Sequence, residues 1–342
     1  MSDVDLPGGI DATHGLDAIG ATVAPRPKNI AWLEWTVLAL LVAFPLLAPA
    51  LGLDYYVVFV RRLLIVMIAA HSLNFLVGYG GMVALGHAGF VGVGAYVLVA
   101  LVDAHATNSV WLLWPAALVG TGLVAALIGL VAMRTRGVYF IMITLAFAQM
   151  LYYVAVSLRS YGGDDGYNLQ AKPDLGFGLD AGHANALYWV VLAIAVAVFA
   201  LQNRATASRF GHALAGIRDN ETRMTALGYP VVRLKLVAFA LAGALAGLAG
   251  AMMVTHNSFV SPSAMHWTQS ATLIVMLVIG GIGKRWGAVT GVAVWGVLEE
   301  VLRQWTDYWH APLGVLLLVI VFFAPRGIAA LFERRAAREG GT

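Results

Sequence analysis

The chain has 342 residues, 60% of them hydrophobic and 11% charged, with a formal net charge of +3 and no cysteine. Soluble domains carry about 25% charged residues, so this composition, with a mean hydropathy of +0.80, excludes a soluble globular protein and predicts an all-α, polytopic transmembrane helical bundle. Disulfides and thiolate metal sites are excluded too, and no aromatic–basic interleaving on a polar surface points to a nucleic-acid partner.

Residues 1–30 are acidic and glycine-bearing, with Asp3, Asp5, Asp11 and Asp17 and no apolar core. They do not read as a secretory signal peptide. A disordered cytoplasmic tail is expected, closed by the basic collar Pro25-Arg26-Pro27-Lys28. The transmembrane domain is expected over 31–332. It contains apolar runs at 33–53, 57–78, 83–103, 110–133, 137–158, 187–203, 234–255, 270–284, 287–303 and 313–332, or about 8–10 membrane segments with one or two broken or re-entrant. The run at 270–284 is short for a full span, and both a span and a re-entrant segment remain open for it.

Arg134 and Arg136, a basic cluster over 204–235, Lys284 with Arg285, and Arg326 to Arg338 all fall on one side of this arrangement. By the positive-inside rule that side is cytoplasmic, with both termini inside and 333–342 forming a basic C-terminal tail. The loop 159–186 carries Asp164, Asp165, Asp174 and Asp180 against Arg159 and Lys172, as suits an external face. Arg61 and Arg62 disagree, since they fall near the outer end of the second segment. Either they snorkel to the external headgroups or the early topology differs.

Glycines crowd one stretch: Gly78, Gly80, Gly81, Gly86, Gly89, Gly92 and Gly94. Ala84, Ala88 and Gly92 form a small-residue row, as do Gly243, Gly247 and Ala251, and Gly287 with Gly291. Such rows let membrane helices approach closely. The density at 78–94 also fits a broken helix, which a membrane tolerates only where protein or a cavity covers the freed backbone groups.

The loop 204–233, between two spans, is patterned. Phe210, Ala213, Leu214 and Ile217 recur at helical spacing. Asp219 or Asn220 is placed to cap a second short helix, with Met224 and Leu227 on its apolar side and Gly228-Tyr229-Pro230 to stop it. Two short amphipathic helices on the cytoplasmic side suit a partner's grip; a solvated loop whose arginines only fix topology is the plainer alternative.

No enzyme constellation is present: no phosphate-cradling loop, no H-E-x-x-H metal pattern, and hence no expected catalytic residue, metal or cofactor. His71, His87, His256, His266, Asn74, Gln149, Glu299, Glu300 and Arg303 interrupt apolar runs. For each, a place on a pathway and a helix-to-helix hydrogen bond both remain open, with a local ion pair the better account of Glu299, Glu300 and Arg303.

Five motifs in order then carry a resemblance. The run Gly78-Tyr79-Gly80-Gly81-Met82-Val83-Ala84-Leu85-Gly86-His87-Ala88-Gly89-Phe90, continuing Gly92-Val93-Gly94-Ala95-Tyr96, is similar to the signature of LivM-type permeases of high-affinity branched-chain amino-acid ABC transporters. Arg136-Gly137-Val138-Tyr139-Phe140 with Thr144-Leu145-Ala146-Phe147, Gly162-Gly163-Asp164-Asp165-Gly166, and Gly280-Gly281-Ile282-Gly283 with Gly287 resemble further family motifs. Ser208-Arg209-Phe210-Gly211, Ala213, Ile217-Arg218, Glu221, Ala226, Gly228, Lys235, Ala238 and Phe239 resemble its cytoplasmic coupling segment. His212 departs from a frequent arginine and Ala84 from a frequent serine.

The resemblance implies an importer subunit in a bacterial inner membrane with no chemistry of its own. A second, related permease would pair with it, two ATP-binding cassette subunits would dock beneath, and a periplasmic binding protein would deliver branched-chain or other hydrophobic amino acids. Arg209, Gly211, Arg218, Glu221 and Gly228 are then expected at the ATPase contact, and Gly86, His87, Gly89, Gly92 and Tyr96 along the pathway, in a protein bathed by membrane lipid. Related permeases for urea or amides, nucleosides and simple sugars share the architecture. An ion-coupled transporter would need an intramembrane acid, a channel a charged or carbonyl ring, and an embedded enzyme paired groups at one depth; the runs offer almost none of these.

Overall fold

The computed structural model describes residues 28–48, 52, 54–104, 107–169, 173–175, 184–305, 308, 310–323 and 327–328. Of the expected tail over 1–30, residues 1–27 lie outside the described residues and 28–30 open the first helix; the expected tail over 333–342, and Lys172 and Asp180 of the acidic loop, also lie outside them.

Each apolar run has a helical counterpart. They are α1 (Lys28–Leu47), α2 (Asp54–Asn74), α3 (His87–Asp103), α4 (Val110–Ala132), α5 (Val138–Ser157), α6 (Ala184–Ala207), α9 (Val231–Asn257), α10 (Trp267–Gly280), α11 (Gly287–Trp305) and α12 (His310–Phe323). The amphipathic α7 (Arg209–Asp219) and α8 (Glu221–Ala226) stand between α6 and α9. Five helices are long and apolar enough to cross a membrane: Asp54–Tyr79, Val110–Ala132, Val138–Ser157, Asn185–Ala207 and Val231–Asn257. Trp35–Leu47, His87–Asp103 and Trp267–Gly280 are shorter apolar helices. The fold is an all-α polytopic bundle, and β1 (Tyr167–Asn168) pairs antiparallel with β2 (Phe259–Val260) at one end.

That end also holds the Tyr167 hydroxyl on Asp103 Oδ1 at 2.9 Å and the Ser109–Asp174 bridge. It is the acidic end. The basic end carries Arg134, Arg136, α7, α8, Lys284 and Arg285. Arg61 lies toward the acidic end but does not snorkel. It is buried, and its Nε donates to His256 Nδ1 at 2.8 Å near the end of α9. Glu299 pairs with Arg303 at 2.7 Å, and the Tyr55 hydroxyl donates to Glu300 at 3.0 Å.

Two stretches leave the helical ladder inside the bundle. At the basic end α2 runs into a π turn, Phe75–Tyr79, and residues 80–86 are non-helical before α3 begins at His87. The expected segment 83–103 therefore starts four residues late. Ala84 lies outside the helix, so Ala84, Ala88 and Gly92 are not one helical face. From the acidic end the chain descends through a 3₁₀ turn, Pro262–Met265, before α10 starts. A Cβ at Gly92 would fall 2.0 Å from Met265 Cγ, and Gly92 is about 17 Å along α3 from Asp103. The turn is thus deep in the bundle, and the short run at 270–284 is the helical half of a broken crossing.

Small residues permit this. A Cβ at Gly94 would lie 2.0 Å from the Gly247 carbonyl oxygen, and one at Gly243 2.4 Å from Ala125 Cβ. α9 therefore packs backbone-close on α3 and α4. Without a hydrophobic drive between helices in lipid, such contact supplies the cohesion. Gly94→Val should lower the thermal unfolding midpoint of the purified chain, with a cost at or above the roughly 1–3 kcal/mol of an overpacked core. Gly120→Ala, whose added Cβ would meet only Val97 at 3.6 Å, should leave it unchanged; equal midpoints for the two variants would contradict this packing.

Candidate functional site

The locus that gathers the most motifs is the basic end, around α7 and α8. Ser208 caps α7, its side chain accepting from Gly211 N, and Asn220 caps α8, its Oδ1 accepting from Arg223 N at 2.9 Å. Of the two expected caps, Asn220 serves. Ala213, Leu214 and Ile217 are buried, Phe210 is partly buried and stacks on Phe75 at 6.3 Å, and Met224 packs under Gly216. Leu227 corrects the expected apolar face. It ends α8 as the C-cap and is 65% exposed, because Gly228, at φ +83°, turns the chain away before the side chain can fold under.

Arg218 reaches from the end of α7 to the break in α2. Its guanidinium donates to the Gly78 carbonyl, an acceptor in the π turn, and also to Asp219 Oδ1 at 3.2 Å. Gly81, at φ +64°, makes room: a Cβ there would lie 2.6 Å from Arg218 Cγ. On the other side of Gly78 an added Cβ would fall 2.5 Å from Gly283 Cα. The buried Asn74 ties these two turns together. Its Oδ1 accepts from Gly283 N at 2.9 Å and its Nδ2 donates to Lys284 O at 3.0 Å. A fourth motif joins through Glu221, which pairs with Lys235 at 2.7 Å and Arg136 at 3.4 Å. Separated segments that begin near 74, 136, 218 and 280 therefore form one assembly.

Among the expected coupling residues, Arg218 and Glu221 are tied to the bundle itself. Arg209 is exposed on the first turn of α7, and Gly228 is exposed after α8. Gly211 is buried, where a Cβ would lie 2.2 Å from the Thr206 carbonyl oxygen. The five residues share one subassembly but not one surface.

The expected pathway residues are all buried. Gly86 abuts the Thr144 carbonyl of α5, Gly89 meets Ala148 and Leu151, and Gly92 meets Met265. His87 bonds Ser72 Oγ at 2.8 Å. His87 Nδ1 and the Tyr96 hydroxyl are enclosed without a hydrogen-bond partner. Nine residues apart on α3, they are separated by about 14 Å and do not share one point. The start of α3, whose N-cap Gly86 has no side chain to give, is satisfied from α10: Ala88 N donates to Ser270 Oγ at 2.8 Å. Sequence reading missed Ser270 altogether. It sits in an ordinary apolar run, and nothing local to it signals a bond across 182 positions.

A family model described as branched-chain amino acid transport system / permease component matches residues 55–324. The chain is 27% identical over 329 residues to the high-affinity branched-chain amino acid transport system permease protein LivM of Salmonella typhimurium, covering 89% of this chain and 76% of that protein. Against the Escherichia coli LivM it is 27% identical over 350 residues, covering 94% and 79%. A probable LivM of Methanocaldococcus jannaschii is 26% identical over 159 residues, covering 41% and 45%. No solved structure matches the chain.

The Asn74 bridge gives a direct test. Asn74→Leu keeps the volume but leaves Gly283 N and Lys284 O without that side chain, at about 1–3 kcal/mol for each group left unsatisfied. The unfolding midpoint should fall, and protease cleavage near Lys284 should accelerate while cleavage within 159–169 does not.

Proposed function

Because this chain belongs to the branched-chain amino acid transport system permease family, we propose that it is the membrane-spanning permease subunit of an ABC importer for branched-chain or other hydrophobic amino acids. The supporting observation is the bond from Arg218 to the Gly78 carbonyl, with the Asn74 bridge beside it. Through these contacts a force on the α7–α8 hairpin reaches the break after α2 and the turn between α10 and α11. The outer surface of that hairpin, with Arg209, His212 and Arg223 exposed, faces away from the membrane domain and suits an ATP-binding subunit.

In this reading the basic end is cytoplasmic and the membrane is the bacterial inner membrane. A second, related permease completes the pathway, two ATP-binding cassette subunits close beneath, and a periplasmic binding protein docks at the acidic end. ATP-driven closure shifts the permease only through contacts that differ between its inward- and outward-open states. A hairpin already bonded to the break after α2 is where such a difference would act. Along α3, small and apolar groups with His87 and Tyr96 would pass an aliphatic side chain with weak selectivity, the binding protein supplying affinity. Among the described residues no aspartate or glutamate is buried, which counts against ion coupling through an intramembrane acid.

Charge reversal at Arg218 should lower uptake and substrate-stimulated ATP hydrolysis at least tenfold, the scale of losing a charged hydrogen bond of about 1.5–3 kcal/mol, while membrane insertion persists. Uptake unchanged in Arg218→Glu would remove the coupling role. For substrate, leucine, isoleucine and valine should each block uptake of the others in cells that carry the whole transporter. Competition by urea or a sugar, with none by leucine, would overturn the amino-acid reading and leave the ABC-permease reading standing.

A further inference from the structure

Part of the outer surface of the bundle does not suit lipid. Along α4 the exposed residues are all apolar, Leu123 and Leu127 among them, as a helix facing hydrocarbon requires. Where α5 meets the 261–266 turn and the first turn of α10, the surface is polar instead. Thr268 and Gln269 are exposed there, and Gln149 and His266 are partly buried. Neither glutamine side chain has a hydrogen-bond partner among the described residues. His266 Nδ1 is bonded to Thr268 Oγ1 at 3.0 Å, and its ring lies edge-on to Tyr152 at 5.8 Å and beside Trp267 at 5.9 Å. Gln149 precedes Tyr152 by most of a helical turn, which puts it on the side of α5 that meets His266.

These groups lie at mid-depth. Gln149 is about 12 Å along α5 from Ser157 and about 16 Å from Val138. Gln269 is about 16 Å along α10 from Gly280. The Ala88 N to Ser270 Oγ bond at 2.8 Å, and the contact of Gly89 with Ala148 and Leu151, tie both stretches to one level of α3.

A carboxamide carries two donors and an acceptor oxygen, and lipid chains meet none of them. At this depth such a group faces protein or water. A dry helix–helix interface favours small residues that let backbones approach. Here long side chains stand out from two elements with a broken crossing between them. Irregular backbone is tolerated within a membrane where it lines a water-filled cavity, and transporters place solute sites at such breaks near the midplane.

We propose that this surface is the substrate-facing wall of the translocation pathway. Its amides, hydroxyl and imidazole receive the charged ends of a zwitterionic amino acid, and Tyr152 and Trp267 border the aliphatic side chain. The proposal rests on the ABC-importer reading above and adds the residues that meet the solute. None of the six is a carboxylate, lysine or arginine, which suits a solute of no net charge. α3 stands one layer behind, where Gly89 and Gly92 let α5 and the turn lie close.

The native chain has no cysteine, so single cysteines report this surface in membranes that carry the whole transporter. Gln149→Cys and Gln269→Cys should react with a charged, membrane-impermeant methanethiosulfonate, and excess leucine should slow both reactions. Leu123→Cys, on the apolar face of α4, should react only with a lipid-soluble maleimide. Gln269→Leu should lower maximal leucine uptake about fivefold, the scale of one lost hydrogen bond, and leave half-saturation unchanged because the binding protein sets it. Reaction at 149 and 269 with the maleimide alone would assign the surface to lipid and overturn the proposal. Cross-linking of both positions to a second permease, with neither reagent reacting, would make it a dry interface and do the same. Intact leucine uptake beside two inert cysteines would remove this surface and leave the importer reading standing. Protection by urea or a sugar, with none by leucine, would overturn the amino-acid assignment in both.

Discussion

A backbone that leaves the helical ladder within a bilayer has no water to turn to, so each freed N–H and C=O must be met by protein. This chain does so twice, at 80–86 and at 261–266, and much of its interior polarity answers that demand. Asn74 meets one donor and one acceptor in the turn before α11, Arg218 meets the Gly78 carbonyl, and Ser270 meets the first turn of α3. Each comes from an element distant in sequence, so the first break and the turn before α11 are held by tertiary structure, whereas the second is capped locally by Ser261, whose Oγ accepts from Ser263 N at 3.3 Å.

The glycines serve the same constraint from the steric side. Gly78 and Gly283 let two turns touch through backbone, and Gly81 admits the arginine that bonds one of them. Gly94 and Gly247 bring α3 against α9 closely enough for dispersion to act where burial alone gains little. Ala84 belongs here too. It is fully buried in an apolar cluster with Phe75, Leu76 and Met82, so a serine hydroxyl at that position would enter a packed core rather than an open passage.

The helices were legible because length and hydropathy are local properties: each apolar run became a helix, and the cap at Asn220 and the stop at Gly228 follow from residues close by in the chain, whereas the cap at Ser208 was not foreseen. The glycine crowding announced the first break. The second was hidden, because Ser261 to His266 reads as part of an ordinary connection, and its depth shows only against Gly92. Leu227 was misjudged because helical spacing takes no account of where the helix ends. Arg61 was misread for a related reason: hydropathy places a charge along the membrane normal but not around the helix, and the partner that draws it inward, His256, is 195 positions away. The Arg218–Gly78 bond is non-local in the same sense, its partners 140 positions apart.

These links also limit how the basic end can move. A charged hydrogen bond contributes about 1.5–3 kcal/mol, whereas inverting a two-state population from 1:99 to 99:1 takes about 5.5 kcal/mol. The Arg218 bond alone is too weak to carry such a shift. Arg218, Asn74 and the Glu221 pair with Lys235 join one hairpin and two turns, so they serve as links between these parts, and the difference between two states has to come from contacts made elsewhere. Their geometry favours motion of the hairpin, the 78–86 turn and the start of α9 as one body. Rotation of α7 alone would break the arginine bond while leaving Glu221 held to α9, and so would strain the Asp219–Asn220 junction between them. Movement of the whole unit keeps all three contacts and transfers displacement to α3 and α11, the two helices that begin at the turns Asn74 and Arg218 hold.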